Sequence, residues 1–216
     1  MKHLKKYGFY LLLIAVASEL IFPIILAAFY TNYDSFTMLI SAFGENGSPT
    51  KMAFKIWAII DGLLLLLTIP AFYERFKVTN RSLAKWLGIM LAVFSTGDCI
   101  LTGIFDRSAA TTIGGEIEEM IHDYASGAGF LALLIGTFIL IRLYSLEMNR
   151  FMVVVLFITF LISSVFMLLF AAPKIPFLLQ LPIPYRGLWQ RANLFFLYLP
   201  FVLVAIQHQN VYRKNQ

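Results

Sequence analysis

The chain has little charge and almost none of the side chains that make disulfides or metal centres. Lys, Arg, Asp and Glu account for 13% of its 216 residues, about half the ~25% usual in soluble domains. So few charges cannot cover a water-exposed surface. The only cysteine, Cys99, excludes an intrachain disulfide and any Cys-based metal site. Of the histidines, His3 and His208 lie close to the two termini, which leaves His122 as the one imidazole between them and excludes a His-rich zinc centre. Neither a metal nor a cofactor is expected. The net charge of +5 is spread in small groups at the ends of apolar runs, which excludes the concentrated basic face of a nucleic-acid binder. Low-complexity tracts, linkers and internal repeats are also missing, so residues 1–216 read as a single integral membrane domain.

What the chain has in excess is apolar length. Hydrophobic residues reach 60%, against roughly 45–50% in soluble domains. They gather into six runs: Tyr7 to Tyr30, Met52 to Tyr73, Leu83 to Phe105, Met120 to Leu143, Phe151 to Ala171 and Leu188 to Ile206. Each can cross ~30 Å of hydrocarbon as a helix rising 1.5 Å per residue. The prediction is an all-α polytopic bundle of six transmembrane helices. An Ala15-Val16-Ala17 segment resembles a signal-peptidase site, but the apolar run continues through it to Tyr30, as a retained span requires.

Charge sets the orientation. With six crossings both termini share a side, and the short loops there carry Lys2, Lys5, Lys6, Arg75, Lys77, Arg81, Lys85, Arg142, Arg150, Arg213 and Lys214. The opposite side has only Lys51, Lys55, Arg107, Lys174, Arg186 and Arg191, with nearly all the loop acids. By the positive-inside rule both termini are cytoplasmic. In the first outer segment Phe36, Leu39, Ile40 and Phe43 recur at helical spacing opposite Asp34, Thr37 and Ser41. That pattern predicts a short amphipathic helix on the membrane surface. Ser48-Pro49 then reads as the N-cap and first position of the second span. The last outer segment carries Pro173, Pro176, Pro182 and Pro184 around Phe177, Leu178, Leu179 and Leu181, too broken for a helix and too apolar for a solvated loop.

Ionisable residues within the runs carry the functional signal, because an unpaired charge in hydrocarbon costs at least ~2.5–3.5 kcal/mol. Glu19, Asp61 and Asp98 are of this kind. Ser95, Asp98, Thr102 and Asp106 form one stripe on the third run, and Glu119, His122 and Ser126 form another on the fourth. Two such stripes avoid lipid most simply by facing each other. Arg191 and Lys55 are the basic residues placed to offset these acids, and Arg191 is expected to pair with Asp98 or Asp106.

Several short motifs resemble one family: Tyr33-Asp34, Ile40-Ser41, Gly44 and Gly47-Ser48-Pro49 before the second run; Gly103-Ile104-Phe105 closing the third; His122 opening the fourth; Gly187-Leu188 with Arg191 opening the sixth. It is the six-helix prokaryotic membrane family catalogued as domain of unknown function 998. The resemblance covers nearly the whole chain. It implies a multi-pass protein of a prokaryotic cell membrane, and it brings a fold without an activity. A Glu usually precedes the Arg of the last motif in that family, whereas Gln190 stands here.

Buried polar residues often serve only to hold helices together, and small pairs such as Ala125 with Gly129 suit close packing. Beyond that role, the first functional reading is an outward-facing polar pocket that binds a lipid headgroup or small molecule, or assists another membrane protein. Its ligand-binding residues are Arg191, Asp98, Asp61, Glu19 and Lys55, and its partners are membrane lipids or a membrane protein. A second reading is a membrane-embedded hydrolase or acyltransferase acting on lipids from the outer leaflet, with Ser41 as nucleophile, His122 as base, Asp34, Asp106 or Asp123 orienting the imidazole, and Arg191 holding a phosphate or stabilising an oxyanion. The third is a small secondary transporter, since buried acids mark many transport paths. On the enzyme and pocket readings alike, Ser41, Asp106, His122 and Arg191 should converge.

The charge split generates a direct test of orientation. In a Cys99→Ala background, cysteine placed at Asn46 should react with an impermeant thiol reagent on intact cells, and cysteine placed at Asn80 should not. The reverse pattern would invert the topology.

Overall fold

The structure is a computed structural model that describes residues 2–107, 113–176, 178 and 180–214. Six helical segments are long and apolar enough to cross a membrane: His3–Ala28, Lys51–Phe76, Arg81–Ile104, Gly114–Leu146, Arg150–Lys174 and Arg186–His208. They coincide with the six runs read from the sequence. The elements that build them are α1 (Lys2–Ala28), α2 (Lys51–Leu66), α3 (Ile69–Phe76), α4 (Arg81–Phe94), a π-helical segment (Ser95–Leu101), α5 (Thr102–Ile104), α6 (Ile113–Leu146), α7 (Arg150–Ala171) and α8 (Arg186–Lys214). No strand occurs among the described residues.

The ring of Phe9 lies 4.8 Å from that of His208, so the start of α1 and the end of α8 meet at one end of the bundle, the terminal end. Ion pairs fasten that end: Lys5 to Glu74 at 2.7 Å, and Arg75 in a fork to Glu147 at 2.6 and 2.8 Å, with Thr79 donating to the same carboxylate. Burial alone would raise the Glu147 carboxyl, but the Arg75 and Thr79 donors hold it below the usual carboxylate range. Asn80 and Asn149 cap α4 and α7 there by accepting from Leu83 N and Met152 N. The second span breaks between α2 and α3, where Pro70 cannot donate to the helix ladder and the Thr68 hydroxyl turns back to the Leu65 carbonyl at 2.6 Å.

Large side chains fill the interior. Phe9, Phe43, Phe72, Phe76, Phe94 and Tyr144 are fully buried. The exterior is apolar as well, with Ile24, Phe151 and Tyr124 at least 70% exposed. A water-soluble domain does not carry that exterior.

The segment before the second span departs from the expected amphipathic α-helix. Its chain runs through tight turns and then a 3-10 helix, Ile40–Gly44, in which Ile40, Ala42, Phe43 and Gly44 are buried. The Tyr33 ring stacks on Phe43 at 4.0 Å. Helical spacing of the apolar residues therefore reflects insertion into the end of the bundle, held by hydrogen bonds from α8. The N-cap of α2 is Thr50, without a side-chain cap bond, and the Ser48 hydroxyl instead accepts from Thr50 N at 3.2 Å. Of the proline-rich segment, Phe177 and Leu179 lie outside the described residues.

The third and fourth spans are in close backbone contact at Gly97. A Cβ placed on Gly97 would stand 2.5 Å from the Ala125 carbonyl oxygen, a backbone atom that cannot swing aside, whereas a Cβ on Gly114 meets nothing within 4 Å. Gly97→Ala should therefore lower stability by ~1–3 kcal/mol through overpacking, read as an earlier thermal unfolding transition in detergent. Gly114→Ala should leave the transition in place. Equal stability of the two variants would mean that the spans are not in contact at Gly97.

Candidate functional site

The third span carries the site because it is not α-helical in its middle. From Ser95 to Leu101 the backbone widens to a π-helix, a geometry that is rare and concentrated at functional positions. Local hydroxyls support it. Ser95 donates to the Leu91 carbonyl at 2.7 Å, and Thr102 donates to the carbonyls of Asp98 and Cys99, the latter at 3.2 Å. Two glycines let neighbouring spans press on the widened turn. A Cβ on Gly62 would lie 2.7 Å from the Ser95 carbonyl oxygen and one on Gly129 would lie 2.8 Å from Asp98 Cβ. The π-turn presents two consecutive residues, Asp98 and Cys99, to the interior.

Around it is a cavity of about 50 Å³, room for a few water molecules or one small ligand group at roughly 10–15 Å³ of such volume per water. Glu19, Ser41, Trp57, Asp98, Cys99 and Ser126 are among the residues that line it. Ser126 on α6 donates to Asp98 Oδ1 at 2.5 Å, so the stripes of the third and fourth spans do meet here. Behind the cavity, Asp61 on α2 is 1% exposed, and its oxygens approach Ser18 and Glu19 without a hydrogen bond of normal geometry among the described residues. Ligand atoms of Glu19, Asp61 and Cys99 all lie within 4.8 Å of one another. The Tyr198 hydroxyl from α8 faces Glu19 in a geometry looser than a normal hydrogen bond. Trp57 joins the first two spans beside this centre by donating to the Ser18 hydroxyl at 2.6 Å.

At the end of the bundle away from the termini, the cavity is bordered by charge. Lys174 pairs with Asp123 at 2.6 Å, and Arg107 stands 3.5 Å from the same carboxylate and 3.8 Å from Glu45. These are the basic residues that line it, and both are engaged by acids at the mouth.

The other expected site residues are placed differently. Asp106 is the acceptor of a lysine pair, Lys55 at 2.5 Å and Lys51. Burial would raise its carboxyl, and hydrogen bonds from the two ammonium groups outweigh that and hold it below the usual range. Lys55 is thus committed to Asp106 rather than to the cavity. His122 is 4% exposed, and its Nδ1 lies 2.9 Å from the Phe105 carbonyl oxygen. The expected ion pair of Arg191 with Asp98 or Asp106 does not form. Arg191 Nη1 donates instead to the carbonyls of Ser35, Met38 and Gly187 at 2.9–3.1 Å, and Nη2 donates to the Tyr33 hydroxyl. A planar guanidinium with five donors is satisfied as well by carbonyls as by a carboxylate. Ser41 lines the cavity, whereas Asp106, His122 and Arg191 are not among its lining residues, so the four do not share this cavity.

Sequence reasoning missed Cys99 and Tyr198. The single cysteine led to the exclusion of any Cys-based metal site, but a count of cysteines does not test for one thiol beside carboxylates from other spans, as Cys99 stands beside Glu19 and Asp61. The available signal was adjacency: Cys99 follows Asp98 directly within a span.

Several of the short motifs acquire a common role. Gln190 Oε1 accepts from Ile40 N at 2.8 Å, Leu188 N donates to the Phe36 carbonyl at 2.9 Å, and any Cβ on Gly187 would collide with the Met38 carbonyl. Together with Arg191 they bind the segment from Tyr33 to Ile40 onto the start of α8. No curated protein and no solved structure matches the chain. The model of the family described as protein of unknown function DUF998 matches residues 13–207, and the chain, a six-helix membrane protein, belongs to that family.

Proposed function

We propose that the protein binds a small cationic or hydrogen-bond-donating solute at the buried carboxylates, admitting it through the polar cavity from the outer side of a prokaryotic cell membrane. One observation carries the reading. The cavity leads from a mouth of paired charges to Glu19 and Asp98, with Asp61 beside them, and the basic residues along it are already held by Asp123. Carboxylates removed from water without a basic partner favour a ligand that brings positive charge or donors.

This supports a binding protein or small carrier over a hydrolase. An acyl-transfer site needs a base within reach of the nucleophile, and His122 holds a backbone carbonyl while Ser41 faces the cavity. Arg191, the proposed anion holder of such an enzyme, is occupied by the loop.

Cys99, which lines the cavity and is the only cysteine, serves as a reporter. Cationic aminoethyl methanethiosulfonate should modify it on the order of 10-fold faster than the anionic sulfonatoethyl reagent, because an acid-lined cleft concentrates cations. Asp98→Asn should narrow that ratio. Equal rates for the two reagents, or no modification by either, would refute a cation-accepting cavity.

A further inference from the structure

We infer that Glu19, Asp61 and Cys99 form a binding site for a divalent transition-metal ion of the zinc class, with the Tyr198 hydroxyl or a water molecule completing the coordination. The inference rests on the cation-accepting cavity and names its ligand chemistry.

The donor set argues for this class. A thiolate beside carboxylates suits a borderline-soft ion that accepts both sulfur and oxygen, whereas magnesium and calcium take oxygen alone. Three protein ligands with an open fourth position match the arrangement of zinc centres that bind or process a further ligand. Zinc–sulfur bonds of ~2.3 Å and zinc–oxygen bonds of ~2.0–2.2 Å put tetrahedral ligand atoms about 3.4–3.6 Å apart. The three groups, already within 4.8 Å of one another, need to close by about 1 Å. Glu19, with the longest side chain of the three and its carboxyl at the cavity wall, can supply most of that movement by side-chain rotation. Its Oε1 lies 4.0 Å from Cys99 Sγ, which donates toward it.

Three further observations are independent of the cluster's composition. Asp61 is 1% exposed and approaches Ser18 and Glu19 without a hydrogen bond of normal geometry to either oxygen, and the Tyr198 hydroxyl, on a different helix and 2% exposed, faces Glu19 in the same loose way. Buried polar atoms so loosely satisfied at one point keep lone pairs free to coordinate a ligand. The π-turn places Cys99 at this point and is pressed there by Gly62. The cavity also supplies an entry path. On binding, the Cys99 thiol gives up its proton to form the zinc–sulfur bond, and any proton held by the two carboxyls leaves with it.

The test uses the purified full chain in detergent, stripped with a chelator and dialysed against zinc. One zinc per chain should be retained and a large excess of magnesium should not displace it. Cobalt in place of zinc should give a thiolate-to-cobalt charge-transfer band in the near ultraviolet, absent in Cys99→Ser. Asp61→Asn should weaken zinc binding by at least about tenfold, and zinc should protect Cys99 from the neutral reagent methyl methanethiosulfonate. The triple variant Glu116→Gln, Glu118→Gln, Glu119→Gln should bind as the wild type does. The site is refuted if the wild-type chain retains no zinc, if cobalt binds without the thiolate band, or if the triple variant loses the metal. Those outcomes involve either the unmodified protein or surface changes, so a misfolded cavity variant cannot produce them. Charge-selective labelling of Cys99 without zinc retention would remove the metal and leave the cation-accepting cavity standing.

Discussion

A carboxyl group taken out of water needs a proton, a hydrogen-bond donor or a cation, and the centre of this bundle concentrates that need. Glu19, Asp61 and Asp98 come from three different spans and approach one another in a space where Ser126 supplies the single side-chain donor to Asp98. Everything around them is arranged so that they do. Gly62 and Gly129 remove the side chains that would hold neighbouring helices away, and Trp57 fixes the first span to the second through Ser18. Fully buried aromatics toward the terminal end keep that half closed. Packing of this density has no hydrophobic drive inside a bilayer, so it depends on small residues and on polar bonds between helices.

The two ends of the bundle use their charges differently. At the terminal end Arg75 and Glu147 form a bidentate pair with Thr79 added, the arrangement that best repays the desolvation of both ions. At the opposite end, Asp106 draws in Lys51 and Lys55, and Asp123 draws in Lys174 and Arg107. Arg191 works there through backbone carbonyls. The consequence is a firmly built rim around a cavity whose floor has no basic group among its lining residues.

The spans were legible in the sequence because a membrane helix is specified by some twenty apolar residues in succession, a signal that no local detail can obscure. The polar stripes were legible in part. Asp98 and Ser126 do meet, as residues that must avoid lipid should. Two departures arise where tertiary bonds, and not α-helical spacing, set the backbone. Phe36, Leu39, Ile40 and Phe43 carry the helical period, yet Gln190 and Arg191 hold that chain in turns and a 3-10 helix. The π-turn leaves no mark in an apolar pattern, so the adjacency of Asp98 and Cys99 was the one sign that Cys99 approaches acids from other helices. Arg191 was matched to acids by sign alone, though the carbonyls of an irregular loop were nearer and equally able to accept.

The π-helical segment also bears on what the third span can do as a mechanical part. Its turn holds more residues than an α-turn for the same function of linking Arg81–Phe94 to Thr102–Ile104. A return to α-helical bonding would take up one residue and turn one half of the span against the other by about 100°, the angle of a single residue at 3.6 per turn. Asp98 would then leave Ser126, and the face now turned inward would sweep past α2 or α6. The surplus residue is thus a stored rotation of one half of the helix about its own axis, coupled to an axial shift of about 1.5 Å.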